Sequence, residues 1–87
     1  MINVTRHDND TFKVEVDDKG SKGRFSVTLD DDYHRKLKNE LSKEELIEKS
    51  FEFLLEREPV GSILSSFDLK IISRYFPEYE REIKEKS

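Results

Sequence analysis

Hydrophobic and polar residues alternate in two segments of the first third of the chain. Segment 12–16 alternates Phe and Val with Lys and Glu, and segment 25–29 alternates Phe, Val and Leu with Ser and Thr. Alternation with a period of two is typical of half-buried β-strands. The intervening residues 17–23 contain two glycines and predict the loop of an antiparallel hairpin. Ile2 and Val4 allow a short third strand, so we expect two or three antiparallel strands that are covered on one face.

A helical pattern replaces the alternation after residue 30. Three aspartates at 30–32 favour a helix start, because a carboxylate accepts hydrogen bonds from the free N–H groups there. Ser42 and Glu45 have the spacing of a capping box and predict a helix over 42–58 that ends before Pro59. Apolar residues cover about half of its circumference, which is wide for a surface helix. We therefore expect a central helix that contacts the sheet on one side and later helices on the other.

The last third of the chain predicts shorter elements. The pattern predicts a turn over 62–67 and a helix over 69–76 that Asp68 caps. Pro77 suits the first position of a last helix over 77–84. The sequence thus predicts a single α+β domain over 1–87, with a β-hairpin region at 1–29 and a helical region at 30–87. Three to four helices should pack on one face of the sheet.

Composition excludes several classes of protein. The chain has no Cys, which excludes disulfides and thiol chemistry. No apolar run approaches the length of a membrane span, so we expect a cytoplasmic protein without a membrane partner. A formal net charge of −4 argues against nucleic acid as a partner, because phosphate binding needs a basic surface.

Candidate chemistry is sparse, and neither a metal nor a cofactor is predicted. Segment 7–10 and the pair Asp30 and His34 contain ligand types, but two ligands from one helix do not complete a metal site. The chain has no Gly-rich phosphate loop, no nucleophile elbow and no thiol. A domain of this size with a fully used core also leaves little room for a pocket of several hundred cubic ångströms. We therefore predict no catalytic residue and no enzyme activity.

Three residues are candidate partner contacts: Arg57, Tyr75 and Tyr79. Arg57 and Glu58 project from the apolar arc of the central helix. Arg57 could hold an anion or a partner, but we favour an arginine whose stem covers the core and whose charge pairs with a nearby acid. Tyr75 and Tyr79 flank Pro77 in an aromatic corner, which could serve as a recognition patch or close a small core.

The segment RFSVTLDDDYHRKLKNELSKEELIEKSFEFLLE, residues 24–56, resembles the ribbon-helix-helix DNA-binding proteins. The resemblance implies that two chains pair their strands and that Arg24, Ser26 and Thr28 contact DNA. Against it, segment 12–16 offers a pairing strand within the chain, and the acidic helix starts repel phosphate. The C-terminal half is similar to small uncharacterised prokaryotic proteins, a resemblance that implies no site residues.

The function predicted from these patterns is that of a small non-catalytic intracellular interaction or accessory protein. Its partner would be an unidentified protein or a second copy of the chain, joined through a sheet edge or the aromatic corner. The alternative is a DNA-binding regulator or antitoxin of ribbon-helix-helix type. The sequence does not identify the biological process.

Overall fold

A computed structural model describes residues 1–37 and 40–85 of the chain. The strands are β1 (Ile2–Arg6), β2 (Thr11–Asp18), β3 (Ser21–Thr28) and β4 (Ser66–Asp68). The α-helices are α1 (Asp31–Lys36), α2 (Lys43–Leu55), α3 (Ile72–Tyr75) and α4 (Tyr79–Glu85). Single 3₁₀ turns lie at Val60–Ser62 and Leu69–Ile71.

The strands form one sheet in the order β1-β2-β3-β4. The first three pair antiparallel, whereas β4 runs parallel to β3 with Ser66 opposite Ser26. The Ser26 N–H donates to the Ser65 carbonyl at 2.8 Å. The predicted α+β class is confirmed, but the sheet has four strands and is mixed rather than purely antiparallel. The region after residue 30, expected to be helical, supplies the fourth strand.

The turn between β2 and β3 is tighter than predicted. Lys19 and Gly20 have φ angles of 53° and 85°, and two consecutive positive φ values give the two-residue turn that matches strand twist. The expected loop over 17–23 is therefore wrong, because both strands run up to this turn. Gly23 lies within β3, where a Cβ atom would come within 2.8 Å of the Val60 side chain. Glycine at this position lets Val60 pack directly against the strand.

Two predicted helix starts, at Asp30 and Ser42, are confirmed, whereas the helix predicted over 69–76 is a 3₁₀ turn followed by the short α3, and the last helix begins at Tyr79 rather than at Pro77. Asp30 accepts a hydrogen bond from the Tyr33 N–H at 2.7 Å. Ser42 and Glu45 form the capping box, with both reciprocal bonds at 3.2 Å. The end of α2 comes earlier than predicted, at Leu55, since the N–H groups of Arg57 and Glu58 both donate to the Leu54 carbonyl as the chain turns away.

The position of α2 between the sheet and the last helix is confirmed. The Phe51 ring lies 5.2 Å from the Phe25 ring of β3, and the Phe53 ring lies 5.2 Å from the Tyr79 ring of α4. Phe51, Phe53 and Tyr79 are fully buried. Burial of such rings is the main stabilising contribution in a chain of this size.

A buried lysine ties the start of α2 to the elements before it. The Lys43 ammonium lies 3.1 Å from an Asp10 oxygen and 2.6 Å from an Asp31 oxygen. Burial alone would lower the pKa of Lys43, but the hydrogen bonds to the two carboxylates outweigh it and raise the pKa. The same contact lowers the pKa of Asp31. Lys43 on α2 therefore forms ion pairs with one acid of the β1–β2 loop and one acid of α1, and these contacts hold the three elements together.

Candidate functional site

An open apolar groove lies where α2 ends. Its volume is about 400 Å³, and the side chains around it come from α2, the segment leading to β4, β4 itself and α3. We call it the C-terminal groove; its lining includes Leu54, Glu58, Ser62, Leu64, Phe67 and Tyr75. The expectation that the chain leaves little room for a pocket is wrong. Residues 60–76 fold as two 3₁₀ turns, the short strand β4 and the four-residue helix α3, and such pieces do not cover α2 as a continuous helix would.

The walls of the C-terminal groove combine buried and exposed apolar side chains. Phe67 of β4 is anchored to the core, with its ring 6.0 Å from that of Phe51. Leu64 and Tyr75 are 51% and 66% exposed. Exposed apolar side chains that adjoin one another around a concavity are typical of a binding surface.

Glu58 gives the C-terminal groove a negative charge. Its side chain is half-buried, and no ion pair or hydrogen bond joins its carboxylate to any residue within 1–37 and 40–85. The neighbouring acid Glu56 differs, since it pairs with Arg57 at 3.3 Å. Glu58 also lines a second surface pocket with Lys19 and Arg57, so it borders both concavities and has no ion-pair partner among the described residues.

Ser62 is the serine that lines the C-terminal groove. It is exposed, as are Ser65 and Ser66 a few residues later. The histidines lie elsewhere: His7 is in the β1–β2 loop, and the His34 Nε2 lies 2.8 Å from the Leu41 carbonyl oxygen. Among the described residues neither histidine hydrogen-bonds a serine, and no three His, Cys, Asp or Glu residues cluster as a metal site would require.

The outer edge of β4 adjoins the C-terminal groove. Because the Ser65 carbonyl points to β3 and backbone groups alternate along a strand, the N–H and C=O of Ser66 point away from the sheet. β4 is the last strand of the sheet, so these groups face an open edge. An extended peptide can hydrogen-bond to such an edge.

Arg57 lies on the side of α2 that faces α4, away from the C-terminal groove. Its guanidinium stacks 3.6 Å from the Phe53 ring centroid and donates to Glu78 at 3.2 Å and to Glu82 at 3.0 Å. Burial opposes the charge, but the two carboxylates raise the pKa of Arg57 above its ordinary value. The structure thus shows the arrangement favoured from the sequence, a stem over the core and a paired charge.

The two tyrosines of the aromatic corner occupy different environments. Tyr79 is fully buried, and its hydroxyl lies 2.6 Å from the Ser50 hydroxyl, which itself donates to the Leu46 carbonyl at 2.8 Å. Burial raises the pKa of Tyr79. Tyr75 is exposed and lines the C-terminal groove. Of the three candidate contacts, Tyr75 is the one whose side chain is available to a ligand in the groove.

The candidate DNA contacts lie together on the open face of β3. Arg24 lies 3.6 Å from Glu15 of β2, and Ser26 and Thr28 follow at alternate positions. β3 is flanked by β2 on one side and β4 on the other. It therefore has no free edge for pairing with the same strand of a second chain, which the ribbon-helix-helix arrangement requires.

The sequence analysis noted Glu58 but missed Ser62. Glu58 follows Arg57 on the apolar arc of the helix predicted over 42–58, but only Arg57 was made a candidate contact. Ser62 carried no signal, since a serine after a glycine in a turn is common.

The described residues include no helix long and apolar enough to cross a bilayer.

A family model described as Caudovirus prohead serine protease matches residues 2–74. No curated protein and no solved structure matches the chain. The matched span includes all four strands, α1, α2 and most of the C-terminal groove.

The family match overturns two predictions. A family of serine proteases is a family of enzymes, so the prediction of a non-catalytic interaction or accessory protein is wrong. The alternative of a ribbon-helix-helix DNA-binding regulator or antitoxin is wrong for the same reason, and the in-chain pairing of β3 with β2 and β4 agrees with this. The sequence reasoning failed because it looked for known nucleophile motifs, and the chain contains none of them.

Proposed function

Because the chain belongs to the caudovirus prohead serine protease family, we propose that it hydrolyses peptide bonds in proteins of a viral prohead through a serine nucleophile. The observation that carries this proposal is the family match, which spans most of the chain. The C-terminal groove adds support, since a protease needs a concave surface that holds a segment of its substrate.

We assign Ser62 as the nucleophile. It is the exposed serine in the lining of the C-terminal groove, and this position alone carries the assignment, because no described residue hydrogen-bonds its hydroxyl as a base would. In this class of reaction the serine oxygen adds to the peptide carbonyl carbon and its proton passes to a base. The C–N bond then breaks, the amine leaves with a proton, and water releases the acyl group from the serine.

The test is covalent labelling of the purified chain with a fluorophosphonate, which reacts with activated serines. We expect one adduct, which peptide mass spectrometry should place on Ser62. The Ser62→Ala variant should lose the adduct, whereas Ser21→Ala, at an exposed serine beside the β2–β3 turn, should keep it.

Two outcomes count against the proposal to different degrees. An adduct on Ser65 or Ser66 would refute the assignment of Ser62 but retain serine chemistry beside the groove. The absence of an adduct on every serine, under conditions in which a control protease is labelled, would refute serine catalysis by this chain.

A further inference from the structure

We propose that the C-terminal groove binds a long basic side chain, arginine or lysine, of an extended peptide whose backbone pairs with the outer edge of β4. This inference rests on the proposed function and names the substrate class for the same groove. It deepens that proposal because it states which residue of a substrate the groove selects.

The chemistry of the groove fits a long basic side chain. Its walls are apolar, with Leu54, Leu64 and Phe67 among them, and Glu58 carries a negative charge. Arginine and lysine have an apolar stem and a charged end, so the stem can contact the walls while the charge reaches the carboxylate. A purely apolar ligand would leave the half-buried Glu58 carboxylate unpaired, at a cost in affinity.

The open edge of β4 fixes the direction from which the peptide enters. The outward N–H and C=O of Ser66 can each form one hydrogen bond with an extended peptide. Residues that face one another across paired strands project to the same side of the sheet. Phe67 projects towards Phe51 and lines the groove, so a peptide residue opposite Phe67 projects into the groove as well.

Charge complementarity distinguishes this occupant from others. Glu58 is the charged residue in the groove lining, and no cation within residues 1–37 and 40–85 pairs with it. Arg57, its neighbour in sequence, is held by Glu78 and Glu82 on the other side of α2. A ligand that brings its own positive charge therefore compensates the groove, whereas an acidic ligand would be repelled.

Binding of fluorescent hexapeptides, measured by anisotropy, tests the inference without requiring cleavage. The peptides share one sequence and differ only at a central position, which is arginine, lysine, norleucine or glutamate. We expect arginine and lysine to bind about tenfold more tightly than norleucine, because the Glu58 contact is charge-assisted. Glutamate should bind least tightly.

Glu58→Gln should remove the preference for arginine over norleucine by weakening arginine binding, and it should not weaken norleucine binding, because no carboxylate is then left unpaired by an apolar ligand. The matched control is Glu48→Gln, a half-buried glutamate on α2 outside the groove lining, which should keep the preference. Methylation of the peptide backbone nitrogen that faces the Ser66 carbonyl should weaken binding, and methylation of the next nitrogen should not. Circular dichroism checks that each variant is folded.

Three results would overturn the inference. Equal affinities for arginine and norleucine would show that the groove does not select charge. An equal loss for both peptides in Glu58→Gln would show that Glu58 acts on the fold or on the chemistry rather than on the basic side chain. Self-association of the chain that Leu64→Asn abolishes would show that a second copy occupies the groove.

The labelling and binding experiments test the proposed function and the further inference independently. If a serine is labelled but the peptides show no basic preference, the inference fails and the proposed function stands. If basic peptides bind through Glu58 but no serine is labelled, the groove is a peptide site and the assignment of catalysis to this chain fails.

Discussion

The two surfaces of α2 differ in how they are covered. Towards α4, Phe53 and Tyr79 are fully buried, the Tyr79 hydroxyl bonds Ser50, and Arg57 bridges to two acids of the last helix. Towards α3, Leu64 and Tyr75 stay exposed around the C-terminal groove, and the Glu58 carboxylate has no described partner. Among the described residues, the side of the helix towards α4 is closed and its buried polar groups are hydrogen-bonded, whereas the side towards α3 is open and carries one unpaired carboxylate.

The difference shows that aromatic and charged residues near one another in sequence can have opposite roles. Arg57 and Glu58 are adjacent, yet the arginine closes the core and the glutamate lines the open groove. Tyr75 and Tyr79 are four positions apart, yet one is exposed and the other is buried. A buried charge is tolerated when it is paired, as Arg57 is. Glu58 is only half-buried, so water can solvate its carboxylate, which stays available to a cation that a ligand brings.

The largest contrast is expected between the two tyrosines. Tyr79→Ala removes a fully buried ring and should lower the free energy of unfolding by about 3–5 kcal/mol, in the range measured for large-to-small core substitutions. Tyr75→Ala should change it by less than about 0.5 kcal/mol, as exposed positions do. Urea denaturation measures both. Similar losses of unfolding free energy in the two variants would show that the two sides of α2 are equally well packed.

Ser50→Ala tests the polar contact on the side of α2 that faces α4. The substitution leaves the buried Tyr79 hydroxyl without its partner, so it should lower the free energy of unfolding by about 1–3 kcal/mol. Ser21→Ala is the comparison, because that serine is exposed. Denaturation of both variants by urea gives the difference. A Ser50→Ala variant as stable as the wild type would show that the Tyr79 hydroxyl finds another partner.

Acid should destabilise the contact between α4 and the side of α2 that faces it. A hydrogen bond from its own backbone N–H and the Arg57 contact hold the pKa of Glu78 below its ordinary value of 4.5. The folded state thus binds fewer protons than the unfolded state, so this contribution to stability is complete above about pH 4.5 and is lost as the pH falls through the lower, folded pKa. Between about pH 5 and about pH 3, the melting temperature of Glu78→Gln should fall less steeply with pH than that of the wild type. Glu48→Gln should leave the slope as steep as in the wild type.

The smallest effect on stability is expected in the groove. Leu64→Asn should change the free energy of unfolding by less than about 0.5 kcal/mol, since the side chain is half-exposed. It should nevertheless weaken binding of the arginine hexapeptide, because it removes part of the apolar wall. Anisotropy and denaturation of the same variant separate the two effects. A strongly destabilised variant would mean that Leu64 belongs to the core.

Local signals predicted the helix starts at Asp30 and Ser42 and the central helix, whereas the pairing of β3 with β4 was not predictable. The capping box of Ser42 and Glu45 is defined by four consecutive residues and could be read directly. β4 could not, because three residues are too few to show a period of two, and its partner β3 lies some forty positions earlier. The groove could not be predicted either, because its wall includes β4. The sequence shows that Leu64 is apolar, but it does not show that Leu64 stays exposed.

The single hydrogen-bonded segment between β3 and β4 also has a kinetic consequence. Closing a loop of this length costs chain entropy, and three paired residues return little of it. We therefore expect β4 to join the sheet late in folding, and the amide of Phe67 to exchange its hydrogen faster than that of Val14 in the middle of the sheet. Transient release of β4 would carry Phe67 out of the groove wall while β1, β2 and β3 stay intact, so the groove would be complete only while one short strand stays attached.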